Sequence, residues 1–135
     1  MSIFTEEQIA FLTERIWAVL ATGRGDGSPQ ISQVGYDWNG EDLIVSTKSY
    51  TAKWKNASKQ PKVAILVHED RRQLIIYGTA QCITEDPERA ELTAQVFRRL
   101  SGNADVSVNE SFIKTLDDQA RTILRITPTR AFMND

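Results

Sequence analysis

The sequence predicts a single domain that is mainly β with added helices (an α+β chain), built as a six-stranded antiparallel β-barrel with short flanking helices. Three observations support this. Short apolar runs recur along the chain, turn sequences of the hairpin type separate several of them, and only short segments have helical spacing. The 135 residues suffice for one hydrophobic core and contain no repeat, linker or low-complexity tract, so one domain over residues 1–135 is expected.

The first third of the chain predicts one helix and two strands. Residues 5–16 begin with a capping-box pattern and carry a short apolar face at helical spacing. The apolar run 16–22 fits a strand buried on both faces, although an extension of the helix is also compatible with it. After the turn sequence 25–29, residues 30–38 alternate with period two and predict a second strand.

The middle of the chain predicts two hairpins separated by a helix. Asn39-Gly40 is typical of a type I′ turn, which needs two residues that tolerate positive φ, and residues 42–48 form the return strand. Residues 51–59 predict a short helix that ends before Pro61. Residues 63–67 and 73–83 are then two strands joined through a tight polar link.

The last third predicts two helices and a closing strand. Asp86-Pro87-Glu88 has the pattern of a helix start, with Asp86 as N-cap and Pro87 at the first helical position. A second short helix contains residues 112–116, and residues 121–127 form the final strand. Among single residues, Trp17, Phe97, Cys82 and Trp54 are expected in the core, whereas His68 is expected at the surface.

Composition excludes several classes of protein. One cysteine cannot form an intrachain disulfide, and one cysteine with one histidine cannot supply a Cys/His zinc site, so no metal is expected. The same counts disfavour Cys–His or Ser–His–Asp nucleophilic catalysis, because only one imidazole could serve as the base. No apolar run approaches the ~20 residues of a membrane span, and the first residues do not resemble a signal peptide. A cytoplasmic protein with no membrane partner is therefore expected.

The charges are unevenly distributed. Five lysines and no acidic residue lie between positions 48 and 62, whereas the other 120 residues carry 11 basic and 18 acidic side chains. A protein that binds a long nucleic acid needs a broad positive face, so no nucleic-acid partner is expected. A single basic patch suits a compact anion instead.

That basic patch lies where a predicted strand passes into a predicted helix. Ser49 or Thr51 could cap the helix, whose first turn leaves backbone N–H groups unpaired and able to bind an anion. Lys53 lies in that first turn, and Asn56 shares its face. The alternative is a solvated lysine-rich helix, and the absence of a compensating acid favours the anion site only slightly.

A second candidate region lies at one end of the strand 30–38. Gln30 and Ser32 share the parity of Val34 and Tyr36, so polar groups occupy one end of an otherwise apolar face. Amide and hydroxyl groups of this kind bind the edges of planar heterocycles. A strand end that simply emerges into solvent is equally compatible with the pattern.

Taken in order, these segments resemble the flavin- and deazaflavin-dependent oxidoreductases of the split β-barrel fold, which are related to pyridoxamine 5′-phosphate oxidase. The resemblance spans residues 5–130, and no single piece of it is specific. The pieces that carry it are Ala18-Val19-Leu20-Ala21-Thr22, Asp26-Gly27-Ser28-Pro29-Gln30-Ile31-Ser32, Asn39-Gly40, Ala52-Lys53-Trp54-Lys55-Asn56, Pro61 with residues 63–67, and Gly78-Thr79-Ala80.

The resemblance implies a split-barrel homodimer and a cofactor site. The Pro-Gln-x-Ser and Ala-Lys-x-basic-Asn elements are most similar to the branch that uses the deazaflavin coenzyme F420. Arg71 and Arg72 are candidates to reach the site of the second subunit, although the aromatic residue common near this position in the family is missing. The implied cofactor residues are Pro29, Gln30, Ile31 and Ser32 along the ring, Ser46, Thr47 and Lys48 beside it, and Lys53, Lys55 and Asn56 at the phosphate.

Three functions remain open on this basis. The first is an oxidoreductase that uses reduced F420 for hydride transfer to a small organic substrate, with the cofactor carrying the redox chemistry. The second is an FMN-binding oxidase or reductase, because a monophosphate also fits a helix N-terminus with a lysine. The third is a non-catalytic carrier of the same cofactor. The sequence identifies neither the substrate nor a proton donor.

Overall fold

The computed structural model describes residues 2–134 and contains, in that range, one closed antiparallel barrel of six strands and four helices. The strands neighbour one another in the order β1-β2-β3-β6-β5-β4, so the predicted fold class is confirmed. The elements are α1 (Glu6–Thr13), β1 (Trp17–Gly23), β2 (Pro29–Trp38), β3 (Leu43–Lys48), α2 (Ala52–Lys59), β4 (Lys62–Glu69), β5 (Arg72–Ile83), α3 (Glu88–Ser101), α4 (Glu110–Asp118) and β6 (Arg121–Asn134).

The barrel closes through β6, which is longer than the predicted strand 121–127. Its first half pairs with β3, and nearly its whole length pairs with β5. The pairing with β5 passes a register irregularity between Tyr77 and Gly78, where Pro128 lies opposite Gly78. Proline cannot donate a ladder hydrogen bond, so it is accommodated at an irregular position of this kind.

The core fills the barrel interior because alternate residues of each strand point inward. Ala18, Leu20 and Thr22 of β1 and Val34 and Tyr36 of β2 point inward. The largest of them is Tyr36, which is fully buried. Its hydroxyl donates a 2.7 Å hydrogen bond to the backbone carbonyl of Leu12 in α1. Burial raises the pKa of Tyr36 to about 12.

The two predicted hairpins differ in their turns. Residues 39–42 form a four-residue loop rather than the predicted two-residue type I′ turn, and Gly40 alone of these four has a positive φ. The side chain of Asn39 accepts hydrogen bonds from the backbone N–H groups of Glu41 and Asp42, which stabilises the longer loop. The β4–β5 hairpin has the tight link predicted, with Asp70 at φ 52°.

The start of α3 differs from the prediction by one residue. Pro87, not Asp86, is the N-cap, and Glu88 is the first helical residue. The carboxylate of Asp86 nevertheless accepts a hydrogen bond from the backbone N–H of Ala90. Asp86 therefore satisfies a donor at the start of α3, although it lies one residue before the N-cap.

Trp17 is the one clear error among the expected core residues. It is 53% exposed, because the first residue of β1 points to the outer face of the barrel. Trp54 and Cys82 are partly buried against the barrel core, and Phe97 is partly buried in a smaller cluster beneath α3, as expected. His68 is exposed, also as expected. Within residues 2–134, no helix is long and apolar enough to cross a membrane.

Candidate functional site

A groove of about 360 Å³ lies on the outer side of the barrel, where β3 ends and α2 begins. The wall opposite α2 comes from the C-terminal half of α3. We call this cavity the β3–α2 groove. Its lining residues are Trp17, Gln33, Val34, Gly35, Ser46, Thr47, Lys48, Thr51, Lys53, Phe97, Leu100 and Arg121.

The start of α2 contributes a cationic side chain to this groove. Of the two residues predicted as possible caps, Thr51 is the N-cap, but its side chain makes no capping hydrogen bond. Its hydroxyl donates to the carbonyl of Lys48 at 2.8 Å and lies 3.1 Å from the hydroxyl of Thr47. The first-turn N–H groups of α2 therefore donate no hydrogen bond to the cap side chain, and Lys53 lies in the same turn.

Arg121, the first residue of β6, is a groove residue that was not predicted from the sequence. The register of the β3–β6 pairing places it directly opposite Lys48, and its side chain lines the groove. Its Nε donates a 3.0 Å hydrogen bond to the side chain of Gln119, and its guanidinium lies 5.6 Å from the ring centroid of Phe97. No local pattern indicates that register, so no signal in the sequence could have identified this residue.

The electrostatics of the groove favour an anion. Among the described residues, neither Asp nor Glu lines it, whereas Lys48, Lys53 and Arg121 all do. Burial lowers the pKa of Lys53, and the positive charge of Arg121 lowers it further. Burial also lowers the pKa of Arg121, although the nearby phenol of Tyr50 partly opposes this. Cations that repel one another in a partly desolvated groove are stabilised by a bound anion.

Apolar side chains form another part of the groove lining. Trp17 lines it from β1, and Phe97 and Leu100 line it from α3. Leu100 can approach this wall because Gly35 has no side chain: a Cβ there would lie 2.5 Å from a methyl carbon of Leu100. The groove thus combines cationic groups for a charged ligand group with apolar side chains for a ring system.

Two predicted serines carry hydroxyls that are buried without a hydrogen-bond partner. One is Ser46, which lies on the outer face of β3 and is part of the groove lining. The other is Ser32, which points into the barrel from the first half of β2. A buried hydroxyl without a partner costs free energy unless a ligand or water supplies one. Ser46 is among the lining residues of the groove, although its hydroxyl itself is buried.

Gln30 and Asn56 do not line this groove. Their side chains meet around Thr22, whose hydroxyl donates to Gln30 at 2.7 Å and accepts from Asn56 at 3.1 Å. This chain of hydrogen bonds links β2, β1 and α2. In the described structure these two residues connect the strands beside the groove to the helix that carries Lys53.

The other predicted residues lie near the groove but outside its lining. Pro29, Ile31 and Gln33 have the same strand parity, so the outer face of β2 continues from the groove along Ile31, which is 68% exposed. Pro29 lines a separate shallow cavity beside β1 and β4. Lys55 is exposed on α2. Of the ten predicted cofactor residues, the groove brings together Ser46, Thr47, Lys48 and Lys53.

Arg71 lies in the link between β4 and β5, and Arg72 is the first residue of β5. Arg71 is exposed, whereas the guanidinium of Arg72 pairs with Glu7 of α1 and lies 5.3 Å from the ring centroid of Phe11. Their role toward a second subunit stays a prediction. Within the described part of the chain, no group of three or more His, Cys, Asp or Glu side chains could bind a metal ion.

Comparison with known families identifies the class of protein. Residues 4–135 match the sequence model of the pyridoxamine 5′-phosphate oxidase family, and the chain belongs to that family. Its members typically bind a flavin.

Solved structures of similar fold have diverse roles. An F420 reductase is 26% identical, with a TM-score of 0.72 over 96% of this chain and 98% of its own. A conserved hypothetical protein of Mycobacterium tuberculosis is 22% identical, with a TM-score of 0.76 over 98% of this chain and 86% of its own. The heme storage protein HutZ of Vibrio cholerae is 24% identical, with a TM-score of 0.71 over 98% of this chain and 94% of its own. The last two likenesses concern the fold alone.

Proposed function

We propose that this protein is an oxidoreductase that binds the phosphorylated deazaflavin coenzyme F420 in the β3–α2 groove and reduces a small organic substrate. The observation that carries the proposal is the convergence of Lys53, Arg121 and Lys48 on one groove that no described carboxylate lines. A phosphate would relieve the repulsion between these cations and accept from the free N–H groups of α2.

The residues present fit such a cofactor. Lys53, Arg121 and the first turn of α2 hold its phosphate, and Lys48 adds positive charge beside it. Ser46 lies in the groove lining beside the ring. Trp17, Phe97 and Leu100 flank the ring and exclude water. When bound, the cofactor supplies the hydride chemistry, and the protein orients it.

Two further observations bear on which cofactor is bound. F420 is favoured by the 26% identity to an F420 reductase over nearly the whole length of both chains, together with the sequence elements around Gln30 and Lys53. FMN is the alternative, and it is favoured by membership of the pyridoxamine 5′-phosphate oxidase family. Either cofactor presents a phosphate to the same cations.

We further propose that the protein is a homodimer. Outward side chains of five neighbouring strands, from β2 through β1, β4 and β5 to β6, form an apolar outer face. Ile31 and Phe132 on this face are 68% and 48% exposed, and Trp17 joins it to the groove. A second copy of the chain would cover this face and close the open side of the groove. The residues of this face are Trp17, Val19, Ala21, Ile31, Ala64, Leu66, Ile75, Tyr77 and Phe132.

Calorimetric titration of the purified protein with F420 and with FMN tests the proposal. Tight binding of F420 with weak binding of FMN supports it, and the reverse order supports the FMN alternative. If neither cofactor binds, the proposal is wrong. If F420 binds but the reduced complex turns over no compound from a panel of unsaturated organic acceptors, a carrier role replaces the reductase.

A further inference from the structure

Arg89 is charged but buried, and its guanidinium bonds to the backbone of Arg121, a residue that lines the β3–α2 groove. It lies in the first turn of α3 and is 7% exposed, the lowest exposure of any charged residue between positions 2 and 134. A charged side chain is buried to this extent only where fixed partners satisfy it. Its side chain does not line the β3–α2 groove.

The guanidinium of Arg89 joins three elements. Nε and Nη2 donate to the two carboxylate oxygens of Asp86, at 3.0 and 2.9 Å. Nη2 also donates to the carboxylate of Asp117 at the end of α4, at 2.8 Å. Nη1 donates to the backbone carbonyl of Arg121 at 3.2 Å. These charge-assisted bonds are directional, so they define the position of the Arg121 backbone.

The segment that Arg89 holds is a turn under backbone strain. Ala120 has a φ of 55°, a left-handed conformation that residues other than glycine rarely adopt. Such a conformation persists only where the surrounding structure enforces it. Arg89 bonds to both sides of this turn, to the carboxylate of Asp117 before it and to the carbonyl of Arg121 after it. The carbonyl of Ala120 itself accepts a 2.9 Å hydrogen bond from the N–H of Ser49.

This turn determines where the side chain of Arg121 begins. Arg121 follows Ala120 directly, and its side chain reaches the groove beside Lys53. If the bond from Arg89 is lost, the strained turn can relax, and the guanidinium of Arg121 can then leave the groove for solvent. Arg89 would thus act on the groove through the backbone, without touching its contents.

We propose that Arg89, held by Asp86 and Asp117, is a positioning residue that orients Arg121 for recognition of the cofactor phosphate. The inference rests on the proposed function, since it requires a phosphate in the β3–α2 groove. It assigns the buried ion cluster at the α3–α4–β6 junction a role in ligand recognition beyond stability.

The test compares ligands with and without a phosphate: FMN and riboflavin differ only in that group, whereas F420 and its chromophore differ in the whole phosphate-bearing tail. The phosphate discrimination of a variant is its affinity for FMN divided by its affinity for riboflavin, and the same ratio is measured with F420 and its phosphate-free deazariboflavin chromophore. Arg89→Lys retains the positive charge but loses the planar fork, so we expect the discrimination to fall about tenfold while riboflavin affinity is unchanged.

A double-mutant cycle with Arg121→Met separates positioning from general destabilisation. If Arg89 acts through Arg121, adding Arg89→Lys to Arg121→Met lowers the discrimination no further. Arg125→Met is the matched control, because Arg125 also pairs α3 with β6, through Glu88, but does not contact the backbone of Arg121. We expect that variant to keep the wild-type ratio.

Asp117→Asn provides a second variant in case Arg89→Lys does not fold. It removes one charged anchor of the guanidinium at an exposed position, and we expect about a threefold lower ratio. A folded Arg89→Lys protein with wild-type discrimination, or an effect that persists in the Arg121→Met background, would overturn the positioning role alone. Wild-type protein that does not discriminate between the cofactor that it binds more tightly and the phosphate-free counterpart of that cofactor would overturn the phosphate site as well.

Discussion

Lys53 and Arg121 face the same groove from two elements that are distant in the chain, and the charge of Arg121 adds to burial in lowering the pKa of Lys53. One lies in the first turn of α2 and the other begins β6. Two cations in a groove that no described carboxylate lines define a site that is less stable empty than filled by an anion. The first two predictions follow from this pair.

Replacing Lys53 with alanine should weaken cofactor binding by about 1–3 kcal/mol, the range of a hydrogen bond to a charged group. Isothermal titration with F420 and FMN measures the change. Lys59→Ala is the control, because Lys59 is exposed in the last turn of the same helix and should leave the affinity unchanged. Lys55→Ala should have a smaller effect than Lys53→Ala, since Lys55 lies outside the groove lining. Equal affinities of Lys53→Ala and wild-type protein would remove Lys53 from the site.

The pKa of Lys53 should rise when an anion binds. In the protein without ligand it lies below 10.5, so the folded state releases this proton more readily than the unfolded chain. The charged ammonium therefore opposes folding at neutral pH, and this penalty disappears as the pH rises from the folded pKa toward 10.5. A bound phosphate reverses the shift.

Side-chain NMR of Lys53 over a pH series, with and without saturating FMN or F420, measures this change. Lys59 in the same sample serves as the exposed reference. A pKa that is unchanged or lower in the bound protein contradicts the proposed contact.

Replacing Gly78 with alanine should lower the free energy of unfolding by about 1–3 kcal/mol, the range for overpacking a close contact. A Cβ at this position would lie 2.7 Å from the backbone oxygen of Thr127, which the β5–β6 pairing holds in place. Chemical denaturation measures the loss. Gly23→Ala is the matched strand control, since nothing lies within 4 Å of its added Cβ. Equal midpoints for the two variants would count against this account.

A charge on the apolar outer face should dissociate the proposed dimer. Phe132 is 48% exposed and packs edge-on against Tyr77, so Phe132→Asp can fold while placing a charge within the interface. Analytical ultracentrifugation should find a dimer for the wild type and a monomer for Phe132→Asp. Ser111→Asp is the control, because Ser111 is an exposed residue of α4 outside this face, and that variant should remain a dimer. A monomeric wild type, or a dimeric Phe132→Asp protein, would refute this interface.

Much of the fold could be predicted from the sequence because its signals are local. Alternation of apolar residues in β2 indicated which side chains point inward, and the lysine-rich start of α2 indicated an anion site. Two predictions made from local signals were wrong: the type I′ turn at Asn39-Gly40 and the core position of Trp17. Asn39 stabilises a four-residue loop with its own side chain, and Trp17 begins its strand on the outer face.

The sequence by itself determined the strands, the helix that carries Lys53, and the resemblance to a family, since these depend on residues close together in the chain. Only the tertiary structure decided that Arg121 joins Lys53, that Gln30 and Asn56 bond to Thr22, and that Arg89 holds the turn before Arg121. The physical reason is barrel closure. Strand register places distant residues opposite one another, and register depends on the packing of the whole sheet rather than on any one segment.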